Sequence, residues 1–210
     1  MKLSKKGTSI AEALVVTVVV TIWLVWMYTL FIRSQKLSAI TWSRIQAIQM
    51  AREWIESMIN IRDTNALLFG SDMQNCWNTL NYNKTCIWDL SNATDIPHLG
   101  SFAVYKDTDN RWKLNPILWL AWGYIYTNPN YKSAFRVNLD SDGLYTQSGG
   151  TTFAPLFTRE LKITYSGAAT PASNNDTMIV DSIVQWGQSD GKTPFKVQLE
   201  TILTNWKGKN

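Results

Sequence analysis

One acid stands where its position alone suggests a task. Glu12 lies five residues after Gly7 in Lys5-Lys6-Gly7-Thr8-Ser9-Ile10-Ala11-Glu12, at the mouth of an uncharged apolar run from Ala13 to Ile32. Such a run of about 20 residues, at about 1.5 Å each, matches the roughly 30 Å of hydrocarbon in a bilayer. A charge moved into a membrane helix costs about 2.5–3.5 kcal/mol even on lenient scales, so an acid kept there is a functional candidate. A secretory signal would have a shorter apolar core and a small-residue cleavage site beyond it. This run ends in Leu30-Phe31-Ile32-Arg33 instead.

Two further groups could carry chemistry. Cys76 and Cys86 are the only cysteines. With no other ligands clustered near them, they read as a disulfide closing a small loop, worth about 2–3 kcal/mol, or else as two free thiols. A disulfide needs an oxidising compartment, which puts the C-terminal part outside the cytoplasm. Zinc lacks a partner histidine. Asp140-Ser141-Asp142-Gly143 and Asp107-Thr108-Asp109-Asn110 offer oxygens of the kind calcium takes, with Asp140 and Asp142 the weak candidates. A hairpin turn, however, selects the same residues for backbone reasons.

Most catalytic chemistry is excluded by count or context. His98 is the single histidine, so neither a histidine triad nor a histidine metal site can be assembled. Gly187 to Thr193 looks like a phosphate loop but has one residue too few between its glycines, and it leads into a strand rather than a helix. No cofactor is expected, and no substrate is turned over. Among eleven tryptophans, the crowded set is Trp119, Trp122, Tyr124 and Tyr126, bounded by Pro116 and Pro129. These rings read either as core or subunit contact, or as a platform for glycan, single-stranded nucleic acid or a protein partner.

The elements that must position these groups follow from periodicity. From Thr8 to Asp63 there is neither Gly nor Pro, which predicts one helix of roughly 55 residues, about 85 Å long. Its first half is apolar all round. In the second half Leu37, Ile40, Ile45, Ile48, Ile55, Met58 and Ile59 form an apolar stripe, while Arg44, Arg52, Glu53, Glu56 and Arg62 carry the polar side and Arg52 can pair with Glu56. Gly70 marks the exit. Ser71 to Gly100 reads as loop.

Beyond it the period becomes two. The strands expected are Phe102–Tyr105 with Arg111–Leu114, Ser133–Leu139 with Leu144–Gln147, Leu161–Tyr165, and Met178–Trp186 with Lys196–Leu203. About seven strands and no second helix predict an α+β fold, a long N-terminal helix packed on a C-terminal antiparallel sheet. The formal charge of +4 comes from 20 basic and 16 acidic residues. Three of the basic ones, Lys2, Lys5 and Lys6, precede Gly7, so the remainder is nearly balanced and does not argue for nucleic acid.

The leader Lys5-Lys6-Gly7, Ile10, and Glu12 at the fifth position after the glycine, followed by a long apolar helix, resemble the processing site of type IV pilins and type II secretion pseudopilins. Thr8, Ala11 and Ala13 differ from the usual family pattern. The resemblance implies that prepilin peptidase cuts between Gly7 and Thr8 and methylates the new amine. It also implies that Glu12 attracts the N-terminal amine of the next subunit. The expected layout is a leader (residues 1–7), a transmembrane and assembly half of the helix (8–32), an amphipathic half (33–65) and an extracytoplasmic β-rich domain (66–210).

The expected partners are the peptidase, other pilin or pseudopilin subunits, an inner-membrane assembly platform and membrane lipid. The chain would cross the inner membrane once with its N-terminus inside, then join an extracellular or cell-envelope filament. Its size and aromatic load point to a minor subunit. The alternative is a membrane-anchored extracytoplasmic adhesin or receptor that never polymerises.

Overall fold

The computed structural model describes residues 10–70, 76–78, 100–106, 111–117, 128–153, 155–165, 177–187 and 194–206. Helix α1 (Ile10–Leu68) is continuous over 59 residues. It passes through the polar Asp63-Thr64-Asn65 and stops at Gly70, where the sequence has its first glycine after Gly7. The chain divides into two compact units, Met1–Arg44 and Ile45–Asn210. In the first unit the side chains of α1 are almost all exposed.

The second unit is a five-stranded antiparallel sheet with the rest of α1 on one face. Its strands are β1 (Gly100–Lys106), β2 (Trp112–Pro116), β5 (Phe157–Tyr165), β6 (Thr177–Trp186) and β7 (Phe195–Thr204), in the order β2-β1-β5-β6-β7. A two-stranded ribbon joins β3 (Asn138–Leu139) to β4 (Tyr145–Thr146). The β1–β2 pairing expected from Phe102–Tyr105 and Arg111–Leu114 is present, from Phe102↔Pro116 to Lys106↔Trp112. The last strand pair is also present, with continuous register from Thr177↔Thr204 to Trp186↔Phe195. Alternation sends Phe157, Leu161 and Ile163, and likewise Met178, Val180 and Val184, toward the helix.

Three expectations are corrected. The residues of α1 that are buried are Ala47, Met50, Ala51, Trp54, Ser57, Met58, Ile61, Asn65 and Ala66. Leu37 and Ile45 are exposed, and Ile40, Ile48, Ile55 and Ile59 only half-buried. The buried set steps by three and four, as an amphipathic helix requires. Its small members let the helix backbone come close to the sheet, so weighting the large aliphatics misplaces the stripe.

Second, a helix exists where a strand from Ser133 was expected. Helix α2 (Pro129–Phe135) starts after Asn128, whose side chain accepts from the Asn130 amide, with Pro129 pre-set for the first turn. The ribbon that follows is therefore only two residues long on each side. Third, β5 begins at Phe157, four residues before Leu161. The buried Arg159 and Thr158 broke the apolar alternation used to place it.

Only one end of β1 pairs with β5, from Gly100↔Ile163 to Phe102↔Leu161. Beyond that the strands part. Arg136 bridges Thr158, and the Val137 amide donates to the Phe157 carbonyl at 3.0 Å. In the gap lies Gln147. Its Oε1 accepts from the Val104 amide at 3.1 Å, and its Nε2 donates to the Arg159 carbonyl at 2.8 Å and the Phe135 carbonyl at 2.7 Å. A side-chain amide thus stands in for the Val104–Arg159 rung the ladder would have had. The turn leading back from this point needs glycine at Gly150, where φ is +80° and an added Cβ would run into the Leu139 carbonyl.

Candidate functional site

Glu12 lies in the first turn of α1 and is exposed, together with Leu14, Val15, Val16, Val18, Val19, Val20 and Ile22. From Ile10 to Ile32 it is the single charged residue. The threonine hydroxyls in this stretch are satisfied within the helix. Thr17 donates to the Leu14 carbonyl at 2.9 Å, Thr21 to that of Val18 at 2.8 Å, and Thr29 to that of Trp26 at 2.7 Å. The stretch can therefore enter an apolar medium without stranding a threonine hydroxyl. By length and composition α1 is able to cross a membrane.

Gly7 and Thr8 lie outside the described residues, as do Cys86, His98, the first acidic turn (107–110), the phosphate-like loop (188–193), and Trp119, Trp122, Tyr124 and Tyr126. Cys76 is disulfide-bonded, and no described cysteine is free. Its neighbour Trp77 is buried, and the Trp77 carbonyl accepts from Asn65 Nδ2 at 3.1 Å. The residue after Cys76 is thereby bonded to the end of α1.

Asp140 serves its own turn. Its Oδ1 accepts from the amides of Asp142 at 2.9 Å and Leu144 at 2.8 Å, and its carbonyl accepts from the Gly143 amide at 3.2 Å. This is the backbone role the turn reading gave these residues. No cluster of three or more potential metal ligands occurs among the described residues.

Two polar sites escaped the sequence reading. Between helix and sheet, Arg159 Nη1 lies 2.7 Å from Glu53 Oε2, with side-chain exposures of 1% and 36%, and the guanidinium sits 4.1 Å from the centre of the buried Trp54 ring. Burial pushes the guanidinium down to about 10, with the Glu53 carboxylate acting in the opposite sense. It therefore stays cationic at neutral pH. On the far face of the sheet, both oxygens of Glu160 are engaged, one by the Ser101 hydroxyl at 2.5 Å and the other by the Tyr131 hydroxyl at 2.6 Å. Burial, then the Glu160 charge, holds the Tyr131 hydroxyl well above the usual phenol range.

These groups hold elements together: Arg159 joins β5 to α1, and Glu160 joins β5 to both β1 and α2. An aromatic row, Tyr145–Phe153–Phe157–Trp186–Phe195, crosses the sheet with centroids 5.4–5.9 Å apart and belongs to the core. Comparison of the chain with family models, with curated proteins and with solved structures finds no match.

Proposed function

We propose that this chain is a pilin-like structural subunit, cleaved after Gly7 and assembled into a filament through its apolar helix. The observation that carries the reading is the placement of Glu12. It is an acid at the fifth position after the glycine, in the first turn of a helix whose next turns present only apolar and locally bonded side chains. The architecture behind it supports the same reading, because α1 continues into a section that packs on an antiparallel sheet.

The mechanism is docking. A carboxylate carried into apolar surroundings gains most from a cationic mate, and the new amine at Thr8 of a neighbouring copy supplies one. The disulfide at Cys76 agrees with an extracytoplasmic position for the sheet unit.

Mass spectrometry of the mature N-terminus tests the processing step. The expected start is Thr8, and retention of Met1 to Gly7 in the native product would instead leave a tethered extracytoplasmic module. For assembly, Glu12→Ala is expected to leave insertion and cleavage intact while incorporation into filaments drops at least about tenfold, the factor a loss of about 1.4 kcal/mol of pairing would give. Normal incorporation would refute the pairing role.

A further inference from the structure

Aromatic residues are distributed unevenly along the exposed first part of α1. From Ile10 to Ile22 the side chains are aliphatic, small or threonine, apart from Glu12. Then Trp23, Trp26, Tyr28 and Phe31 follow within nine residues, all exposed. Arg33 and Lys36 come directly after.

Around the axis, at about 100° per residue, these four rings point near 0°, 300°, 140° and 80°, an arc of about 200°. A helix–helix seam is a narrow stripe that runs along the axis. Here the rings are confined to about 12 Å of the axis and spread around it. Tryptophan and tyrosine gather in this manner where hydrocarbon meets headgroups, because each has an apolar body and a polar tip. The lysine and arginine just beyond lie where cationic heads reach water and lipid phosphate.

We infer that Trp23, Trp26, Tyr28 and Phe31 form an interfacial girdle that sets the depth of α1 in a phospholipid bilayer, with the outer boundary near Tyr28 rather than at Ile32. The consequence for Glu12 is direct. Counting back about 30 Å from Tyr28, or some 20 residues, reaches the region of Thr8, so Glu12 is drawn about 6 Å inside the inner boundary for a helix along the membrane normal. The carboxylate that the apolar run alone would leave at the membrane surface is thus held in hydrocarbon before any neighbour arrives. This rests on the membrane-spanning part of the proposed function and not on filament assembly.

The test uses the full chain in vesicles of phosphatidylethanolamine and phosphatidylglycerol. Single cysteines are placed at Leu24, Leu30, Ile32 and Ser38 and labelled from the outer side with an impermeant maleimide, to which the disulfide-bonded native cysteine is inert. Leu30 and Ile32 should label nearly as fast as Ser38, and Leu24 about a hundredfold more slowly, since the reactive thiolate is a charge in hydrocarbon. Replacing the girdle together (Trp23→Leu, Trp26→Leu, Tyr28→Leu, Phe31→Leu) should slow position 30 to the rate of position 24.

Protection of Leu30 and Ile32 in the unsubstituted girdle, or a boundary that does not move when the girdle is replaced, overturns the inference. Protection that disappears on diluting the chain into excess lipid also overturns it and assigns the rings to a second copy. Uniform fast labelling, Leu24 included, would mean that α1 does not span at all. Because no step depends on incorporation, these outcomes are independent of the Glu12→Ala assay.

Discussion

Arg159 is the side chain whose surroundings are most exacting. It is a buried cation in a β-strand, held by a half-exposed Glu53 and roofed by Trp54. Removing one partner of such a pair costs more than removing both, because it leaves a charge buried without compensation. Glu53→Ala is therefore expected to destabilise the fold by about 2 kcal/mol, less than a fully buried pair would cost because Glu53 is partly solvated. In a double-mutant cycle read by urea denaturation, Arg159→Met should recover much of that loss.

The tyrosines set a limit at the other end of the pH scale. The Tyr131 and Tyr165 hydroxyls are raised above their ordinary value, in both cases chiefly by burial. A group raised in the fold contributes its stability fully below its unfolded value and loses it as pH rises, whereas Arg159, lowered to about 10, acts in the opposite direction above that pH. With two tyrosines against one arginine, stability should decline above about pH 10, and Tyr165→Phe should make the decline shallower in thermal melts followed across that range. None of this could be read beforehand. A charged residue in an alternating strand reads as solvent-facing until the helix that covers it is known.

At the scale of elements, the long helix and the last strand pair were legible because each repeats one period over many residues. Helix α2 was not, because it is under two turns long, too short for its Asn128–Pro129 start to stand out as a period. Nor was the parting of β1 from β5, because it depends on one residue meeting others far along the chain. Gln147 shows why: its amide completes backbone pairing across forty-three residues of sequence. Gln147→Glu exchanges the donating nitrogen for an oxygen, so the Phe135 and Arg159 carbonyls both lose their donor, at a cost of about 1–3 kcal/mol. Amide exchange at Val104 should accelerate in that variant while β6 stays protected. The close fit of α1 to the sheet gives a second test. Ala51→Leu adds bulk where the helix has no exposure, and about 1–3 kcal/mol of destabilisation is expected from overpacking, visible as a lower melting temperature.

For the whole molecule, the sequence made the order of parts plain: an acid-headed apolar helix, its amphipathic continuation, then strands. It left the joints unread. Trp77, buried in the core with its carbonyl accepting from Asn65, anchors the segment after α1 beside the disulfide at Cys76. Reduction should lower the melting temperature of the sheet unit by several degrees, the effect of about 2–3 kcal/mol lost, without changing membrane insertion of α1.

The incomplete seam between β1 and β5 has a mechanical meaning. Strand β6 is paired with β7 along its whole length and with β5 from Met178 to Trp186, whereas among the described residues β1 pairs with β5 only from Gly100 to Phe102. Under tension applied across the sheet, the β1–β2 hairpin should peel away first, at low force, while the plate formed by β5, β6 and β7 stays whole. A chain under load could then lengthen in one small reversible step before anything essential tears.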